Sequence, residues 1–224
     1  MICAMVLAAG RSSRMGRQKL LLPLGHKPII ARIVDELLLS PVQSIGVVVG
    51  CEGEKIKKAL PGRDVTFVRN PDSEGDMLSS VRCGLHALPE SCEAVLVALG
   101  DQPAINHELI GELIRGFRER GGEIVVPAHA DRRGHPMLFA ARFCDEVLTR
   151  YDGVGLRGLL DAHPDVVFKV LVPTASVLED MDTPEDYERQ RRRFSHAQSA
   201  RSLASFRQRS TRHARPGHAA AQRS

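Results

Sequence analysis

An apolar run, Met1 to Ala9, breaks into Gly10-Arg11-Ser12-Ser13-Arg14-Met15-Gly16-Arg17-Gln18-Lys19. A strand ending in a glycine-punctuated, hydroxyl-bearing, cationic loop suits a polyphosphate. Gly10 and Gly16 can take backbone angles closed to other residues, so successive N–H groups can line one concavity that favours an anion. Arg14 adds a planar fork for paired phosphate oxygens, and Lys19 adds a mobile point charge. Two common phosphate loops are excluded by spacing. Walker A needs four residues between its glycines and then Lys-Ser/Thr, whereas five separate Gly10 from Gly16 and Arg17-Gln18 follow. The dinucleotide fingerprint Gly-x-Gly-x-x-Gly is also absent.

Acids supply the counterpart. Leu99-Gly100-Asp101-Gln102-Pro103 closes another apolar run, and Pro103 bars Gln102 from the α region, which holds Asp101 at a strand terminus. Facing phosphates, such a carboxylate calls for Mg²⁺, a hard cation that takes one or two carboxylates plus phosphate oxygens. Glu179-Asp180-Met181-Asp182-Thr183-Pro184-Glu185-Asp186 is a helix start, with Thr183 or Asp182 as N-cap and Pro184 in the first helical position. A cap explains one acid but not the others before it, so Asp182 is the expected second metal ligand, ahead of Asp180. The competing reading is that these acids close turns and favour a helix N-terminus.

The elements that must position these groups are continuous Val/Leu/Ile runs, at 2–8, 44–49, 65–69, 94–99, 123–127, 137–140 and 166–172. Runs without polar alternation are the mark of strands covered on both faces. Helical patterns at 29–39, 54–60, 77–88, 107–120 and 183–193 lie between most of them, which argues a single-domain, doubly wound α/β fold with a mostly parallel sheet. Ligands in such sheets bind beyond the carboxyl ends of the strands, where both the first loop and Asp101 fall.

The 224 residues suffice for one full core, and 43% are apolar. No segment approaches the length of a membrane span and no charged leader precedes the first run, so a cytoplasmic protein is expected. The five scattered cysteines form no Cys-x-x-Cys pair and read as reduced packing thiols. The net charge of +4 resides at one end: residues 189–224 hold ten arginines and no acid, and without them 21 bases face 27 acids. The chain is therefore expected to divide into a domain at 1–190 and a basic, disordered tail at 191–224, because the tail lacks the apolar periodicity that would offset its ordering entropy. With Phe194 and Phe206 as its only stacking candidates, that tail is not expected to make nucleic acid the partner.

Taken together, LAAGRSSRMGRQK at 7–19, LGDQP at 99–103, RGHPMLF at 133–139 and DMDTPEDY at 180–187 resemble the MobA-like NTP-transferase family, the nucleotidyltransferases of molybdenum cofactor maturation. The resemblance covers about residues 1–190 and implies a Rossmann-like nucleotidyltransferase fold. It implies that Leu7, Ala8, Ala9 and Gly10 meet base and ribose, that Arg14 and Lys19 meet phosphates, and that Asp101 and Asp182 hold Mg²⁺. Asn70, Ser79 and Ser80 look like the segment contacting base and ribose, and Gly134 and His135 fall by resemblance near an acceptor pocket. Ala8-Ala9 is similar to cytidylyl members, where guanylyl members carry a Gly pair. One departure stands out: members commonly read Gly-Asp-x-Gly-Ala-Arg before Leu-Leu, whereas Tyr151-Asp152-Gly153-Val154-Gly155-Leu156-Arg157 precedes Leu159-Leu160 here.

The expected activity is transfer of CMP from CTP to the terminal phosphate of molybdopterin, with Lys19, Arg14 and Asp101 as the catalytic set and pyrophosphate leaving in line. An ionised acceptor phosphate needs no general base, so positioning and charge stabilisation carry the rate. The product would pass to a molybdoenzyme or its chaperone. GTP use, another phosphorylated acceptor, or nucleotide binding without turnover are the alternatives.

Overall fold

The computed structural model describes residues 1–12, 15–72 and 74–195. Seven apolar runs become the body of one sheet: β1 (Ile2–Ala8), β4 (Ser44–Val49), β5 (Thr66–Arg69), β6 (Ala94–Leu99), β7 (Ile124–His129), β9 (Met137–Ala140) and β10 (Val167–Leu171). Their order is β5-β4-β1-β6-β9-β7-β10, with the short β8 (Arg132–Arg133) on β7 and a separate two-strand ribbon of β2 (Pro23–Leu24) and β3 (Lys27–Pro28). Within this body only β9 runs against the rest, antiparallel to both β6 and β7. The sheet is thus mostly parallel, as expected. The reversal at β9 is invisible to hydrophobic period, which carries no strand direction.

Both faces of the sheet are covered. Along β1, Ile2, Ala4, Val6 and Ala8 enter one core with α1 (Ile29–Leu38), α2 (Gly53–Lys58) and α4 (His107–Glu119), while Met5 enters the other with α3 (Met77–His86), α5 (Cys144–Thr149) and α6 (Arg157–Ala162). The alternation follows from side chains pointing to opposite faces along a strand. The expected helices at 29–39, 77–88 and 107–120 form within two residues at either end. The sequence reading lacks α5 and α6, because six residues make under two turns and show no stable 3.6-residue period. No helix among the described residues is long and apolar enough to cross a membrane, and all five cysteines are free.

The last helix among the described residues, α7 (184–195), crosses residue 190, where the expected division falls, and matches the helical pattern at 183–193 within two residues. It carries an apolar contact into the arginine-rich stretch: Phe194 packs against the core, with the Arg32 guanidinium 3.8 Å from its ring centroid. The remainder of the proposed tail, 196–224, lies outside the described residues.

At the start of α7, Thr183 and Asp186 form a reciprocal capping box. Thr183 N and Oγ1 donate to Asp186 Oδ2 at 2.9 and 2.8 Å, and Asp186 N donates to Thr183 Oγ1 at 3.2 Å. Partial burial pushes the Asp186 carboxyl up, but these bonds and the Arg189 guanidinium outweigh it and hold it at about 2, below its ordinary 3.8. A carboxyl depressed by folding stabilises fully above its unfolded value and loses that contribution as pH falls through its folded value. Replacing Asp186 by Asn is expected to lower stability by about 1 kcal/mol at neutral pH. Thermal melts should show the difference from wild type intact above about pH 5 and gone near pH 2.

Candidate functional site

Where β1 ends, the chain turns out through Ala9 and Gly10 and is held by a side chain the sequence reading gave no role. Gln18 is buried, accepts from Ser12 Oγ at 3.0 Å, and donates through Nε2 to Gly10 O at 3.3 Å and Glu52 Oε2 at 3.1 Å. Ser12 Oγ in turn accepts from Lys19 N at 3.0 Å. Leu20, buried in the core one residue on, fixes the 3₁₀ turn Lys19–Leu21, and Lys19 extends toward the sheet's carboxyl edge. There its Nζ meets Asp101 Oδ2 at 2.5 Å and Asp182 Oδ1 at 2.8 Å. Two carboxylates, up to 163 residues away in sequence, converge on one ammonium.

Gly100 makes this approach possible. Its N donates to Leu7 O at 3.0 Å, and a Cβ there would fall 2.7 Å from the same oxygen. The absent side chain lets β6 turn tightly against β1, so Asp101 emerges beside Lys19.

The cleft over this edge encloses about 440 Å³. On its floor lie Leu7, Ala9, Gly10, Leu20 and Leu99, with Asn70, Ser80 and Met77 along one side. Its charge is unlike that expected of a cationic phosphate cradle. Among the described residues, Asp72, Glu74, Asp76, Asp101, Asp180 and Asp182 line it against only Arg11 and Lys19. Arg11 is itself paired with Glu74 at 2.5 Å. Asp101 and Asp182 offer hard carboxylate oxygens converging on one point, which is the donor set a divalent ion takes when it retains waters and phosphate oxygens.

Burial pushes the Asp101 carboxyl above its ordinary range, with Asp180 adding to the rise and Lys19 opposing it. Burial disfavours the Lys19 charge too, yet Asp101 and Asp182 together hold it above its ordinary value. The ammonium is charged at neutral pH and is the counter-ion of the site.

The structure brings Leu7, Ala9, Gly10, Lys19, Asn70, Ser80, Asp101 and Asp182 to this one cleft. Arg14 lies outside the described residues. Two of the expected side chains are engaged within the protein. The Ala8 side chain packs into the core, because a strand that turns Leu7 toward the cleft turns its neighbour away. The Asn70 amide, expected on base or ribose, is spent within the protein: Nδ2 donates to Ser79 Oγ at 2.8 Å and Ser80 Oγ at 3.0 Å, and Oδ1 accepts from Asp72 N at 3.0 Å. Ser79 is not among the residues lining the cleft; its backbone N–H is capped by Asp76 Oδ1 at 2.9 Å. Asp180, the weaker metal candidate, does line the cleft and accepts from Gln102 Nε2 at 2.7 Å.

Gly134 and His135 line a second cavity of about 670 Å³, which shares Asp76 and Met77 with the cleft. Gly134 has no room for a side chain, since a Cβ would sit 2.3 Å from Val177 O. Burial pushes the His135 imidazole below its ordinary value against the pull of Asp180 and Asp101, and its buried Nδ1 has no partner among the described residues. Arg132, Arg133 and Arg157 line the same cavity together with Asp76 and Asp131, and Arg133 pairs with Asp161 at 2.9 Å, so the charge there is mixed.

Residues 4–166 match the family described as MobA-like NTP transferase domain. The chain belongs to that family. It is accordingly a nucleotidyltransferase, built on the fold its relatives share. The molybdenum cofactor cytidylyltransferase of Escherichia coli strain K12 is 25% identical over 197 residues, covering 87% of this chain and 97% of that protein. A protein named nicotine blue oxidoreductase, from Paenarthrobacter nicotinovorans, is 28% identical over 193 residues, covering 82% of this chain and 93% of its own. Among solved structures, a nucleotidyl transferase from Methanothermobacter thermautotroptrophicus superposes with a TM-score of 0.77 at 28% identity, covering 88% of this chain and 99% of that one. Asp180 and Asp182 lie beyond the matched 4–166 span, so this nucleotidyltransferase completes its charged cluster from a later segment.

The side chains of Lys19 and Asp101 are only 13% and 18% exposed, against 44% for Asp182. Removing one partner of a buried ion pair leaves an uncompensated charge, at about 3–5 kcal/mol. Replacing Lys19 by Met is therefore expected to destabilise this protein far more than Asp182→Asn does. Adding Asp101→Asn to Lys19→Met should restore much of the loss in urea unfolding, whereas additive losses would mean that the pair carries no coupling.

Proposed function

We propose that this nucleotidyltransferase transfers CMP from CTP, with Mg²⁺, to the terminal phosphate of a molybdopterin-type acceptor and releases pyrophosphate. The observation that carries the proposal is the convergence of Lys19, Asp101 and Asp182 at the carboxyl edge of the sheet, inside an acid-lined cleft that adjoins a cavity carrying Arg132 and Arg157. An acidic cleft takes a polyphosphate only with accompanying cations, which favours a metal-bound triphosphate over a free one. When bound, the ion neutralises charge on the triphosphate as the α-phosphorus is attacked.

The chain's own residues do the rest. Asp101 and Asp182 fix the position of the positive charge, and Lys19, released from them, turns its ammonium to the phosphates. The N–H groups beyond Gly10 cradle the triphosphate, and Arg14 steadies the leaving pyrophosphate. The acceptor lies in the cavity lined by Gly134 and His135, its anionic groups met by Arg132 and Arg157, and reaches the nucleotide across Asp76 and Met77. Ser80 faces the nucleotide, while Asn70 and Ser79 shape its wall. The acceptor phosphate is already ionised, so no residue is required as general base.

Preference for CTP rests on the Ala9 methyl at the cleft floor, since the Ala8 methyl points into the core. A single methyl discriminates by about 1–3 kcal/mol. Guanylyl transfer is the second reading, favoured by the opening that remains once Ala8 is turned away. Incubation with molybdopterin, Mg²⁺ and each of CTP, GTP, ATP and UTP, with products identified by mass, separates the two. Pyrophosphate release is expected to be fastest with CTP, and Asp101→Asn to lower kcat about 100-fold or more. Equal turnover in that variant, or no nucleotidylated product with any triphosphate, overturns the proposal.

A further inference from the structure

Arg82 lies in α3, whose first residues border both cavities, Met77 and Asp76 shared and Ser80 in the cleft. From the other side of that helix its guanidinium leaves for a different part of the chain. Nε donates to Val147 O at 3.1 Å, Nη2 to Arg150 O at 2.8 Å, and Nη1 to Asp152 Oδ1 at 2.7 Å. Val147 and Arg150 are the last turn and C-cap of α5, whose terminal carbonyls have no helical partner of their own. One fork thus ties α3 to the segment 150–157.

That segment is the stretch that departs from the family pattern, and it forms a wall of the second cavity through Gly153, Val154, Gly155, Leu156 and Arg157. Its path is fixed by a short run of left-handed residues: Tyr151 at φ 73°, Gly153 at 72° and Gly155 at 71°. Tyr151 anchors the turn. Its carbonyl accepts from Val154 N at 3.1 Å and Gly155 N at 2.8 Å, its hydroxyl donates to Glu146, and a Cβ at position 158 would collide with its ring at 2.2 Å. The tip, Val154, is held to Tyr151 through its backbone N–H, while its side chain is 58% accessible. The loop is rigid at its base, open at its tip, and fastened to α3 by Arg82.

We propose that Arg82 is a positioning residue through which nucleotide in the cleft orders the acceptor-side loop 150–157. This rests on the reading above that the cleft takes a nucleotide and the second cavity the acceptor. A ligand seated against Ser80 and Met77 restrains α3, and a planar guanidinium with three acceptors on the loop side transmits that restraint where a lone point charge would not. Coupling between two sites is reciprocal, so acceptor in the second cavity tightens nucleotide by the same factor.

Hydrogen exchange of the full chain, with Mg²⁺ and each of CTP, GTP, ATP and UTP, tests this without knowledge of the acceptor. Whichever nucleotide protects residues 7–12 and α3 is expected to slow exchange in 150–157 about 5-fold or more in wild type. In Arg82→Ala the loop protection should vanish while protection of 7–12 and α3 persists; Arg82→Lys, which keeps a charge for Asp152 but loses the fork, should restore it only in part. Wild-type protection of the cleft without the loop overturns the coupling and leaves the nucleotide reading standing. Absence of protection at 7–12 with all four triphosphates overturns both. Loss of cleft and loop protection together in Arg82→Ala would make the residue merely structural and also overturns the proposal.

Discussion

A single buried ammonium holds the site together. Lys19 is the one positive charge that reaches the carboxyl edge between β1 and β6 among the described residues, and it faces two carboxylates there with a third nearby. Every other feature of the region serves that meeting. Gln18 and Ser12 hold the loop that precedes it, Leu20 pins the turn that carries it, and Gly100 clears the space in which Asp101 approaches. The arrangement is electrostatically unfinished. Among the described residues six acids face two bases in the cleft, and one buried lysine is shared by two of those carboxylates.

The fold supplies the place for such a cluster. β1 sends its chain to β4 on one side and is joined by β6 on the other, so the crevice above β1 lies where the strand order reverses. Backbone groups at that edge have no strand beyond them to pair with. Glycine at 10 and 100 and acids at the strand ends occupy the gap, while aliphatic side chains on both faces keep the edge rigid. The reversed strand β9 moves the remaining strands outward and brings Gly134 and His135, immediately before it, to the border of the second cavity. The two cavities then meet at the start of α3, which lines both.

Much of this was legible in the residues, for reasons specific to each. Strands covered on both faces betray themselves by unbroken Val/Leu/Ile runs, so β1, β4, β6 and β9 have the bounds read from sequence. Lys19, Asp101 and Asp182 stood out because charges at strand ends and before a proline-started helix have few structural uses. Alternation along β1 should have separated Ala8 from Leu7 and Ala9, and did not, since the family likeness was applied to consecutive residues without regard to the strand's pleat. Asn70 was legible as a cleft residue but not in its partners: a polar side chain beside a cleft can brace it as well as meet a ligand, and Asn70 braces Ser79 and Ser80. Gln18 and Arg82 had no signal at all. Their roles depend on carbonyls and carboxylates up to 70 residues away, which no local pattern encodes.

Asp182 has one more implication. It is delivered by the segment leading into α7, which is fastened to the body late, through Tyr187 to Pro23 O at 2.6 Å and Phe194 beneath Arg32. Chains emerge from synthesis amino-terminus first, so β1, Lys19 and Asp101 are all made before it. Lys19 and Asp101 are therefore made well before their third partner, and the ion cluster they share with Asp182 can close only once the segment leading into α7 exists.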